Sequence, residues 1–134
     1  MAKIVEIEGI GEATAAKLTA AGITTTDGLL AACATAAARK ELAAKTDLDA
    51  SKLLGWANRA DLFRVKGIGS QYSDLLEAAG VDTVPELAQR KPENLHAKMT
   101  EVNAEKKLVR QLPTLRSVQA WVAHAKELPR MIAY

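Results

Sequence analysis

The chain is one unit written twice, and this repeat constrains its fold more than any other feature. Gly9, Ile10, Gly11, Leu18, Ala21, Gly22, Thr25 and Leu29 recur 58 positions later as Gly67, Ile68, Gly69, Leu76, Ala79, Gly80, Thr83 and Leu87. Farther along the offset becomes 65, so that Trp56 and Ala60 fall on Trp121 and Ala125. The second copy therefore carries about seven extra residues, near Val102 to Pro113. Because a repeat fixes an architecture before any helix is assigned, the boundary is placed near Arg64, giving two domains, 1–64 and 65–134.

Composition says what each copy is made of. Alanine and leucine abound, aromatic residues make up 4% of the 134, and β-branched residues occur singly, so intrinsic preference favours helix almost throughout. At 49% apolar residues there is enough to bury for either one ordinary domain or two very small ones. The expected fold is all-α, with two tandem bundles of about five short helices. In each copy the first helix follows the Gly-Ile-Gly turn and ends at Gly22 or Gly80, each suited to the left-handed position after a helix.

A second helix begins after Thr25 or Thr83. Thr83-Val84-Pro85-Glu86 has capping-box spacing, with proline where its missing N–H costs nothing. Thr25-Thr26-Asp27-Gly28 keeps the cap without the glutamate, which predicts a weaker start. Thr35, Lys91-Pro92, Asn103, Asp49 and Thr114 mark further helix starts. Leu53, Trp56, Ala57 and Ala60, like Val118, Trp121, Val122 and Ala125, recur at three-and-four spacing. That spacing turns both last helices toward the core and makes the tryptophans core anchors rather than base-stacking platforms.

The Gly-Ile-Gly turn has a definite mechanics. Glycine permits positive φ and leaves room for an approaching group, while Ile10 or Ile68 plugs the turn into the core. The N–H groups that follow lie at a helix N-terminus, where an anion is favoured. At the second turn Gly67, Gly69, Ser70 and Gln71 stand beside Arg64 and Lys66, a setting suited to a phosphate oxygen. The first turn is flanked by Glu6, Glu8 and Glu12, which oppose an anion, so phosphate contact is expected at the second turn or at neither. Split at Arg64, the first part has 8 basic and 8 acidic residues and the second 10 and 8. The excess lies around Lys98, Lys106, Lys107, Arg110 and Arg116, either a basic patch or a solvated helix face.

These residues resemble the helix-hairpin-helix motif, in which a Gly-hydrophobic-Gly turn meets the sugar-phosphate backbone through its amides. The longer run from "IEGIGEATAAKLTAAGITTTDGLL" through "VKGIGSQYSDLLEAAGVDTVPELAQRKPENLHAKMTEVNAEKKLVRQLP" is similar to a bacterial family known as domain of unknown function 4332, over nearly the whole chain. That resemblance implies tandem SAM-like helical domains, each opening with a helix-hairpin-helix turn. "LLEAAGVDTVPELA" also resembles part of the C-terminal domain of the RNA polymerase alpha subunit, a helical module that binds DNA and proteins. The amide-bearing positions implied are Gly67, Gly69, Ser70 and Gln71, with Gly9, Gly11, Glu12 and Ala13 as counterparts. Turns of this kind can also hold a monovalent cation through their carbonyls when DNA is bound.

Other chemistries find little support. No nucleophile stands with a base, no metal-ligand spacing occurs, and no phosphate loop carries its lysine, so the chain is read as no enzyme and without cofactor or metal. His96 and His124 each stand alone, and Cys33 in "LLAACATAA" reads as a small core residue with no disulfide partner. No apolar run approaches a membrane span and no signal-peptide pattern opens the chain, so the expectation is a cytoplasmic monomer or weak dimer that makes no membrane contact. A net charge of +2 leaves two readings open. One is weak, non-sequence-specific binding to a DNA or RNA backbone through Arg64, Lys66, Gly67, Gly69, Ser70, Gln71, Lys106, Lys107 and Arg110. The other is a protein-interaction or scaffold module.

Overall fold

A computed structural model of the chain describes residues 2–133. Those residues form eight α-helices and one short 3-10 turn, with no strand beyond an isolated bridge between Lys3 and Thr25. They divide into two compact units, one running to Asp61 and joined by the segment from Arg130, the other spanning Leu62–Pro129. Each unit holds four α-helices, where about five had been expected per copy.

In the first unit the 3-10 turn Ile4–Glu6 leads to α1 (Glu12–Ala20), α2 (Thr26–Ala32), α3 (Ala36–Thr46) and α4 (Ala50–Leu62). Ile7, Leu18, Leu29, Cys33 and Leu53 are fully buried within it. Burial pushes the Cys33 thiol up to about 11, so it packs as an inert apolar group. The segment from Arg130 returns here through contacts that local sequence patterns do not announce. Ile132 is buried, the Ala133 amide donates to the Ala34 carbonyl at 2.7 Å, and the buried Arg39 guanidinium donates to the carbonyls of Cys33 and Ala133, both at 2.9 Å. These bonds explain why the packing, unlike the repeat boundary, assigns the segment to the first unit.

The second unit contains α5 (Ser70–Ala78), α6 (Val84–Gln89), α7 (Pro92–Lys106) and α8 (Leu115–Glu127). α8 packs against α6 and α7, and α7 against α5. Between them lies a core built on Leu75, Leu76, Leu87, Leu95, Met99 and Trp121.

Helix ends follow the local chemistry closely. Hydroxyls of Thr25, Thr35, Thr83 and Thr114 accept amides three residues on, at 3.0, 3.1, 3.2 and 3.0 Å. Such caps are each worth about 1 kcal/mol. At Thr83 the expected box closes differently, because the hydroxyl donates to Glu86 Oε1 at 2.9 Å. A side-chain hydrogen bond with Asp82 holds the Glu86 carboxyl above the ordinary glutamate range. α1 and α5 end alike. Gly22 and Gly80 take φ of 87° and 95°, and the Ile23 and Val81 amides reach back to the Leu18 and Leu76 carbonyls at 2.9 and 2.8 Å.

Asn103, expected to open a helix, instead lies inside α7. Its side chain accepts the Val109 amide at 3.0 Å and donates to the Val109 carbonyl at 3.1 Å, closing the loop that follows α7. The extra residues of the second copy thus form the end of α7 and this clamped loop.

The two glycines of each turn do different work. Gly9 and Gly67 have φ of 93° and 94°, and a Cβ on either would stand 3.0 or 2.9 Å from Nε1 of Trp56 or Trp121. Both indoles pack against their turns, Trp121 as part of the buried core and Trp56 half-buried. Gly11 and Gly69 have ordinary extended backbones, and a Cβ there would meet nothing within 4 Å. Gly67→Ala should therefore cost about 2 to 4 kcal/mol, from the left-handed backbone and the displaced indole. Gly69→Ser should change stability by a few tenths of a kcal/mol, since serine is a good cap residue. Urea denaturation of the two variants measures both effects.

Candidate nucleic-acid interface

Free amides at a turn are set by what precedes the helix. At the second turn the Ile68 amide is spent on the Val65 carbonyl at 3.1 Å, and Gly69 caps α5 without a side chain of its own. Ser70, Gln71 and Tyr72 form the first turn of α5, and an α-helix supplies no internal acceptor to the Gln71 and Tyr72 amides. Gly67, Gly69 and Gln71 are exposed and Ser70 is half-buried. Ser70 also serves the fold, since its carbonyl accepts the Ser73 hydroxyl at 2.8 Å.

The two cations beside this turn have separate fates. Lys66 is exposed, and its backbone amide donates to Nδ1 of His124 on α8 at 3.1 Å. Arg64 is half-buried, with Nη2 donating to the Pro129 carbonyl at 3.0 Å. Arg64 thus ties the start of the second unit to its end, and Lys66 is the cation that faces solvent at the turn.

Tyr72 was missed from sequence, although it sits on the first turn of α5. Its ring lies 5.3 Å from that of Trp121 at 50°, and its hydroxyl donates to the Gln111 carbonyl at 3.1 Å. That bond brings the clamped loop to the N-terminal turn of α5, and Arg110, the neighbour of Gln111, is exposed on it. Lys106 and Lys107 instead terminate α7, where positive charge complements the carbonyl end of the helix dipole. His96 holds the same loop through Nε2 and the Pro113 carbonyl at 2.9 Å, which gives this histidine a structural partner.

The first turn repeats the geometry with opposite charge. Gly11 caps α1, while Glu8 and Glu12 are exposed on either side. Glu6 accepts the Lys3 amide at 2.8 Å. Among the described residues no group of three or more His, Cys, Asp or Glu is placed to hold a metal ion, and no helix is long and apolar enough to cross a membrane.

Lys107 adopts φ of 51°, a left-handed conformation that lysine takes at a cost of about 1 kcal/mol relative to glycine. Its counterpart after α3, Asp47, has φ of 58°. Lys107→Gly should raise stability by up to about 1 kcal/mol in urea denaturation. No change, or a loss, would show that the lysine side chain stabilises the fold by more than its backbone costs.

A family model matches residues 8–128, and the chain belongs to that family, described as Domain of unknown function (DUF4332). No curated protein and no solved structure matches the chain.

Proposed function

We propose that this member of the DUF4332 family is a non-catalytic, tandem helix-hairpin-helix protein of SAM-like bundles that binds a nucleic-acid backbone, without regard to sequence, through its second repeat. The observation that carries the reading is Gly69. Neither its backbone angles nor its surroundings require glycine, and a side chain there would project into open space. A bare Cα at the mouth of a helix allows a phosphate to approach the helix start at Gln71 closely.

Charge selects between the two turns. Gly11 is equally open, but Glu8 and Glu12 flank it, whereas Lys66 stands exposed beside Gly69 and Arg110 lies on the loop tied to Tyr72. Contacts of this kind position a backbone and read no bases. Few cations take part, so binding is weak and falls steeply with salt. Arg64, Lys106 and Lys107 add to the local potential while serving the structural roles described above.

A second reading, a protein-interaction module, is favoured by the first unit, where Val5 is 53% exposed beside the acidic turn. Fluorescence anisotropy with short duplex DNA, single-stranded DNA and RNA at two salt concentrations separates the readings. Lys66→Glu should weaken binding about tenfold and flatten the dependence of log affinity on log salt by about one. Absence of binding to all three at low salt would overturn the nucleic-acid reading and leave the protein-interaction one.

A further inference from the structure

The amide of Lys66 ends on an imidazole, an unusual acceptor for a backbone N–H beside a turn. Donation to Nδ1 at 3.1 Å places the proton of a neutral His124 on Nε2. A protonated imidazole has donors at both nitrogens and cannot accept this bond. Protonation therefore turns an N–H···N contact into two donors facing each other. Both would be satisfied by an oxygen placed between them.

Space for such an oxygen adjoins the pair. Lys66, Ala120, Ala123, His124 and Glu127 line a solvent-open cleft of about 390 Å³. Its charged groups, among the described residues, are Lys66 from the turn and Glu127 from α8 itself, and α6 and α7, which pack against α8, contribute none to the lining.

We propose that the Lys66 amide and His124 form a proton-gated clamp for an anionic oxygen. With neutral imidazole the clamp is closed on itself. With imidazolium the Lys66 amide and His124 Nδ1–H both donate to one phosphate oxygen, and the Lys66 ammonium adds its charge. This rests on the nucleic-acid reading for the identity of the ligand, and on the cleft alone for its anionic chemistry. The sign is definite. An anion binds the protonated form, so binding takes up a proton and affinity rises as pH falls through the range of pH 5–8 where imidazoles gain charge.

The first copy lacks the device. By the repeat offsets Glu8 stands at the position of Lys66 and Arg59 at that of His124, so neither a basic turn residue nor a titrating partner is present.

Two measurements on the full chain test the clamp. The first follows the Lys66 amide by 15N-resolved NMR from pH 8 to pH 5.5, with and without sulfate, whose charge is constant over that range. The amide should shift with the midpoint of the His124 ring signals, and sulfate should move it at pH 5.5 but not at pH 8. The second measures anisotropy with a short DNA duplex at the same two pH values. Wild-type affinity should rise about three- to tenfold at pH 5.5. His124→Asn places an amide oxygen near the Nδ1 position and cannot titrate, so its gain should vanish while His96 remains in place. Thermal melting checks that the variant is folded.

An equal gain in wild type and His124→Asn overturns the clamp, as does a Lys66 amide that neither follows the ring nor responds to sulfate. Sulfate shifts at pH 5.5 without DNA binding at either pH would support the anion clamp and overturn the nucleic-acid reading.

Discussion

Each unit depends on a tryptophan laid against the first glycine of its turn. The left-handed backbone of Gly67 and the indole nitrogen of Trp121 occupy space that no side chain at position 67 could share, and Gly9 and Trp56 repeat the pairing. The turn's shape is therefore set from the last helix of the unit, far away in the chain. In the second unit α8 grips twice, because His124 lies one helical turn beyond Trp121 and takes the Lys66 amide. Tyr72 extends the hold, touching the Trp121 ring on one side and the clamped loop on the other. The Tyr72 contacts, which do not depend on the state of His124, fix the N-terminus of α5 from within the unit.

The same scaffold appears twice with different surfaces. Conserving the glycine–tryptophan pair preserves the fold, while the residues beside it are free to change charge. The first copy surrounds its turn with Glu6, Glu8 and Glu12, and the second presents Lys66. Seven or so extra residues allow the second copy to bring a loop bearing Arg110 to the start of α5. The proposal of different tasks for the two turns rests on this difference in their exposed charges.

Much of this fold was legible because its signals are local. Threonine caps, Pro92 at a helix start and glycines after α1 and α5 are decided within a few residues, and each stood where the sequence placed it. The helical character and the anchoring tryptophans followed from propensity and three-and-four spacing. What escaped depends on distant partners. Asn103 has the chemistry of a cap, and only the loop at Val109 shows that it closes a helix's end rather than opening one. Arg39 reads as an ordinary surface cation until the Ala133 carbonyl, 94 positions away, gives it a buried partner. Likewise the sequence around Arg64 does not announce the Pro129 carbonyl, 65 positions away, that takes one of its nitrogens. The two glycines of each turn look equivalent in sequence, and only the structure separates the one the fold requires from the one it leaves open.

The central claim is that this open glycine marks a phosphate site in the second unit and that its counterpart in the first does not. Titrating a short DNA duplex at low salt into the 15N-labelled chain, and following every backbone amide, tests it most directly. The account predicts that the largest shifts fall on residues 66–72 and on Arg110, with residues 8–13 unmoved. Shifts centred on the first turn, or none at all, would contradict it.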